Sequence, residues 1–129
     1  MEKPRNPSVL IIEDERILAR SLAHILSGYG WHAEVCHDGS QALEQSKKTT
    51  FDAVVADWGV PGLCGSRLLE QLKRANPRCR LVVMSADPEE PREHPIVRAL
   101  QIPCLAKPFA LDMLLRELQD LEPSKTLRD

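Results

Sequence analysis

The chain has 129 residues, 43% hydrophobic and 28% charged, the length and balance of a single soluble globular domain. Its net charge of −2 offers no basic footprint for direct nucleic-acid binding, and no apolar run approaches the roughly 20 residues of a membrane span. The polar, proline-bearing stretch Met1 to Pro7 is no signal peptide, so the expected location is the cytoplasm. The expected organisation is a tail over 1–7, one domain over 8–122 and a tail over 123–129.

Ser8 to Ile12 is a short apolar run and predicts a buried strand. From Glu15 to Ser27, Ile17, Leu18, Leu22, Ile25 and Leu26 recur at helical spacing, and Gly28 follows as a stop. Trp31 to Cys36 predicts a second strand. Asp38-Gly39-Ser40 opens a helix through about Lys48 with Ala42 and Leu43 inward. Phe51 to Ala56 predicts the third strand, and Gly65 to Ala75 a helix closed by Asn76-Pro77. Arg80 to Met84 predicts the fourth strand.

Asp87 to Pro95 then carries Pro88, Pro91 and Pro95. Proline lacks an amide donor, so a fourth helix is not expected to start before Pro95, and only a turn or two fits in Ile96 to Leu100. Ile102 to Ala106, with Pro103 inside, suits an edge strand. Phe109 to Leu121 predicts the last helix, with Leu111, Leu114, Leu115, Leu118 and Leu121 facing in. Alternating strands and helices with short connections imply an α/β, flavodoxin-like doubly wound sheet of five parallel strands, order 2-1-3-4-5, with an atypical short fourth helix. Ligands of such sheets bind at the carboxyl ends of the strands, at the switch point between strands 1 and 3.

Those strand ends carry the chemistry. Asp57 follows the third strand and opens the turn Trp58-Gly59-Val60-Pro61-Gly62; Glu13 and Asp14 follow the first; Ser85 and Lys107 end two later ones. Three converging carboxylates repel one another, and Mg²⁺ relieves this with carboxylate, water and phosphate oxygens as ligands. Asp14 and Asp57 are the expected carboxylate ligands, with Glu13 acting through a water. Asp57 is then an oxygen nucleophile toward phosphorus, as in aspartyl-phosphate enzymes. Lys107, the Ser85 hydroxyl and the backbone N–H of Ala86 can each meet a phosphoryl oxygen. Taken alone, Asp57 is a turn aspartate, Ser85 a loop hydroxyl and Lys107 a solvated lysine; their company at strand ends favours the site.

The cysteines Cys36, Cys64, Cys79 and Cys104 form no CxxC pair and predict reduced thiols in or near the core. His24, His32, His37 and His94 lack metal-ligand spacing. Trp58 is expected to be a half-exposed packing residue and Trp31 strand packing.

Four segments together resemble the receiver domain of the two-component response-regulator family, over about Ser8 to Leu121. They are Val9-Leu10-Ile11-Ile12-Glu13-Asp14-Glu15, Asp57-Trp58-Gly59-Val60-Pro61-Gly62, Val82-Val83-Met84-Ser85-Ala86 and Lys107-Pro108-Phe109. The resemblance implies that Asp57 is phosphorylated by a histidine kinase or phosphotransfer protein. It makes Asp14 and Glu13 the acidic pair holding Mg²⁺, with the Gly59 backbone carbonyl as a third protein ligand. It makes Ser85 a switch hydroxyl and Lys107 the phosphate-binding lysine, followed by a Pro108 bond that is often cis in the family. The implied role is a signalling switch toward an output domain or partner, with slow self-phosphorylation and dephosphorylation rather than enzymatic turnover.

The chain departs from the pattern at Cys104, where the family usually has Tyr or Phe, and in the proline segment. These departures support an alternative: a pseudo-receiver, an interaction domain with the fold but an atypical or absent switch. A phosphatase of the haloacid-dehalogenase type is disfavoured because Gly59 stands where its second acid belongs. A flavodoxin relative is disfavoured because no Ser/Thr-rich loop follows the first strand.

Overall fold

The computed structural model describes residues 6–61, 67–108 and 111–119. Strands β1 (Ser8–Ile12), β2 (His32–Cys36), β3 (Ala53–Asp57), β4 (Arg80–Ser85) and β5 (Cys104–Ala106) form one parallel sheet in the order β2-β1-β3-β4-β5. This is the predicted doubly wound topology.

Alternation along each strand divides the core between the two faces. Leu10, Ile12, Val54, Ala56, Leu81 and Val83 pack on one side with Leu68, Leu69 and Leu72 of α3 (Arg67–Ala75) and Ala42 of α2 (Gly39–Lys48). Val9, Ile11, Ala53, Val55, Val82 and Met84 pack on the other with Leu22 and Leu26 of α1 (Arg16–Gly28) and Leu114 and Leu118 of α6 (Leu111–Gln119). Burying each such leucine contributes about 2 kcal/mol. Asp38 caps α2 through a 2.9 Å bond from the Gln41 N–H, as its Asp-Gly-Ser opening predicts.

Several expectations are corrected. Ile17 is 83% exposed rather than inward; it lies five positions before buried Leu22, about 140° around a helix of 3.6 residues per turn. The chain beyond α1 turns at Gly30, whose φ of 97° glycine tolerates, whereas Gly28 is the last helical residue. Trp58 is 4% exposed, not half-exposed. β3 runs Ala53–Asp57 and includes Asp57, while Phe51 is buried just before it. β5 begins at Cys104 because Pro103 has no N–H for the ladder; its carbonyl still accepts from Val83 N–H at 2.9 Å.

The largest difference lies after β4. A helix does form before Pro95: α4 (Glu89–Arg92) precedes α5 (Pro95–Leu100). Pro91 is tolerated in α4 because the first N–H groups of a helix have no intrahelical partner to lose. His94, extended as a residue before proline tends to be, separates the two helices and places Pro95 at the first position of α5. Cys64, Phe109, Leu121, the start of the Gly65 helix and most of both tails lie outside the described residues. Among the described residues, no helix is long and apolar enough to cross a membrane.

Candidate functional site

The carboxyl ends of β1, β3 and β5 meet at one cleft. Parallel register sets Ile12 beside Ala56, so Glu13 and Asp57 leave the sheet at the same level. Ligand oxygens of Glu13, Asp14 and Asp57 lie within 4.8 Å of one another. Lys107 enters between two of these groups, with Nζ 3.2 Å from Glu13 Oε1 and 3.3 Å from Asp57 Oδ2. Glu13 is fully buried, Asp57 partly buried and Asp14 exposed.

Local bonds fix these side chains. Glu13 Oε2 accepts the Glu15 N–H at 3.1 Å, and its own N–H donates to the Cys36 carbonyl at 3.0 Å. Asp57 Oδ1 accepts the Gly59 N–H at 3.3 Å, and the Asp57 carbonyl accepts from Val60 at 3.1 Å, which folds the exposed Gly59 turn back over the strand end. Trp58 N–H continues the ladder to the Met84 carbonyl at 2.8 Å. The Lys107 N–H donates to the Ser85 carbonyl at 2.8 Å, and the Lys107–Pro108 peptide is cis.

Of the predicted residues, Glu13, Asp14, Asp57 and Lys107 are thus drawn together. Ser85 is buried at the end of β4, but its hydroxyl is turned to Asp87, donating to that residue's carbonyl at 2.9 Å and accepting its N–H at 3.1 Å. Ala86 is exposed just beyond it.

The family model for the response regulator receiver domain matches residues 9–119. The chain belongs to the response-regulator receiver family. PfeR, a transcriptional activator protein of Pseudomonas aeruginosa, is 33% identical over 132 residues, covering 96% of this chain and 43% of that protein. Response regulator MprA of Mycobacterium ulcerans is 31% identical over 121 residues, covering 94% and 52%. A solved sensor protein from Polaromonas sp. JS666 is 30% identical with a TM-score of 0.79, covering 92% of this chain and 96% of that one. The receiver spans about half the length of the curated relatives it matches.

Receiver domains bind Mg²⁺ at an acidic pocket of this kind, and the donor set fits it. Three carboxylates against one ammonium leave an excess of two negative charges when all are ionised, the charge a divalent cation cancels. Burial raises the Glu13 carboxyl above its ordinary range, and the neighbouring Asp57 charge adds to this, while the Glu15 N–H and Lys107 oppose it. For Lys107, burial alone would lower the ammonium, but Asp57 and Glu13 outweigh it and hold the group above the ordinary lysine value. The Cys36 and Cys79 thiols are pushed up to about 12 by burial, and Cys104 is raised for the same reason, which keeps these free thiols unreactive.

Sequence reasoning passed over two histidines of the receiver. His37 Nδ1–H donates to the Glu13 carbonyl at 2.8 Å and so braces the acidic pair from the end of β2. Its place after a strand, on the same lip as the acids, was the available signal. His94 Nδ1 accepts the Ile96 N–H at 3.3 Å and its ring meets the edge of Trp58 with centroids 5.6 Å apart. Nothing local in the sequence joins positions 58 and 94.

Proposed function

We propose that this receiver accepts a phosphoryl group on Asp57 from a histidine kinase or phosphotransfer protein and uses it to switch binding to an output domain or partner. The observation that carries this reading is the Lys107 ammonium seated between Asp57 and buried Glu13 beside exposed Asp14. Mg²⁺ bound there, with Asp14, Asp57, the Gly59 carbonyl and, through a water, Glu13 as its holders, supplies charge neutralisation on the transferred group. An Asp57 carboxylate oxygen forms the new bond to phosphorus, and the bond to the donor breaks with its electron pair leaving on the donor. Lys107 pairs with one phosphoryl oxygen, the Ser85 hydroxyl with a second and the Ala86 N–H with a third. The same residues then release the phosphoryl group slowly to water, so the domain signals rather than turns over substrate. Its boundaries are 8–122, and it acts in the cytoplasm.

The test is incubation with acetyl phosphate and Mg²⁺, followed by borohydride trapping and peptide mass mapping. The expected adduct lies on Asp57 and disappears in Asp57→Asn. No adduct on intact protein with Mg²⁺ present sinks the reading. A pseudo-receiver is the second reading, favoured by the engagement of Ser85 with Asp87 and by a buried thiol at Cys104. It predicts an Asp57 adduct without change in amide exchange over 88–104.

A further inference from the structure

β1 and β2 pair in parallel register up to Ile12 and Cys36. A bond at each end of the pair shows the pattern: the His32 N–H donates to the Pro7 carbonyl at 2.8 Å, and the Glu13 N–H to the Cys36 carbonyl at 3.0 Å. Evenly spaced rungs would next bring the Asp38 N–H to the Glu13 carbonyl. The chain leaves the sheet there, because Asp38 caps α2, and the His37 ring takes the carbonyl, Nδ1–H donating at 2.8 Å. The ring springs from a fixed base. The His37 N–H donates to Gln41 Oε1 at 2.9 Å, and the Gln41 N–H donates to Asp38 Oδ1 at 2.9 Å. A side chain thus supplies the last rung of the β1–β2 ladder, and that rung lands on the acidic pair.

The Glu13 carbonyl and the Asp14 N–H belong to one planar peptide group. A bond that holds the carbonyl therefore also sets the plane from which Asp14 leaves the strand. The Glu13 carboxylate is held by the Glu15 N–H and by Lys107, whereas the exposed Asp14 carboxylate has no hydrogen bond or ion pair to another described residue. Its placement is left to its backbone. We infer that His37 is a positioning residue for the metal: its Nδ1–H fixes the Glu13–Asp14 peptide and so holds the Asp14 carboxylate where it can take Mg²⁺. The inference rests on the reading of Glu13, Asp14 and Asp57 as holders of Mg²⁺ given above. Mg²⁺ demands near-octahedral geometry, so a carboxylate carried on a loosened peptide binds it less well. Partners that orient a metal ligand commonly account for about ten- to a hundredfold in affinity, and a partner acting through the backbone belongs at the lower end.

The experiment titrates the whole chain with Mg²⁺ by calorimetry and follows acetyl phosphate labelling of Asp57 across the same Mg²⁺ range. His37→Leu keeps bulk at the position and removes the donor. It is expected to weaken Mg²⁺ about tenfold, and His37→Ala serves if His37→Leu does not fold. His37→Asn places an amide N–H at the same branch point of the side chain and is expected to restore an affinity close to wild type. In His37→Leu the Mg²⁺ concentration for half-maximal labelling should rise by the same factor as the Kd, while the rate at saturating Mg²⁺ falls far less. Wild-type Mg²⁺ affinity in His37→Leu overturns the role of His37, as does a His37→Asn protein that binds as weakly as His37→Leu. A labelling rate that falls at saturating Mg²⁺ with an unmoved half-maximal concentration overturns it too, since His37 would then act on Asp57 rather than on the metal. A wild-type protein that binds no Mg²⁺ overturns the reading of the three carboxylates as the metal site, and the role of His37 with it.

Discussion

In the cleft, Glu13 and Asp57 stand at the ends of β1 and β3, each strand flanked on both sides within the sheet. From Asp87 to Gln101 the chain instead advances through a four-residue and a six-residue helix, α4 and α5, placed by side-chain bonds and by Pro91 and Val97 in the interior. A strand ladder fixes a strand end within a fraction of an ångström, which suits chemistry. Short helices joined by a few polar bonds can occupy two arrangements, which suits a switch.

The largest expected effect tests the cleft. Lys107→Ala should slow acetyl phosphate labelling of Asp57 by about a hundredfold, the scale for losing one preorganised group that meets transition-state charge. A loss of less than tenfold would mean that Lys107 is a structural counterion to Glu13 and little else. Mg²⁺ comes next. At ten times its Kd it should stabilise the wild type by about 1.4 kcal/mol, roughly 5 °C in Tm, with EDTA reversing the shift. Asp57→Asn should raise the metal-free Tm by relieving carboxylate repulsion and should shrink the Mg²⁺ shift; an undiminished shift would place the ion elsewhere.

On the other side of the comparison, His94→Ala removes the α5 cap and the ring against Trp58, at a cost of about 1 kcal/mol in urea unfolding. Asp57 labelling should keep its wild-type rate, and a marked fall would show that cleft and proline segment are one mechanical unit. The smallest effect is confined to alkaline pH. Asp57 and Glu13 hold the Lys107 ammonium above its ordinary 10.5, so its contribution to stability is complete below that pH and lost as pH rises through the higher folded value. The difference in urea midpoint between wild type and Lys107→Met should therefore stay constant up to about pH 10 and narrow above it.

Much of this was legible in the chain. Apolar runs bounded by turns placed the strands, and the parallel sheet put Glu13, Asp14, Asp57 and Lys107 at one edge. The helix over Glu89–Arg92 was missed because proline is penalised in a helix interior, whereas Pro91 sits in a first turn. The burial of Trp58 was missed because its place after Asp57 says nothing of His94, 36 positions on, whose ring meets it.

The sequence by itself determined the topology and the chemical types at the strand ends, since short continuous apolar runs alternating with amphipathic helical stretches through short connections admit few other arrangements. Only the tertiary structure decided that Lys107 lies between Glu13 and Asp57, that His37 braces the acidic pair, and that Arg92 ties α4 to Cys104. The physical reason is separation along the chain: Lys107 and Glu13 are 94 positions apart, and contacts of that kind follow from packing of whole elements rather than from any local preference.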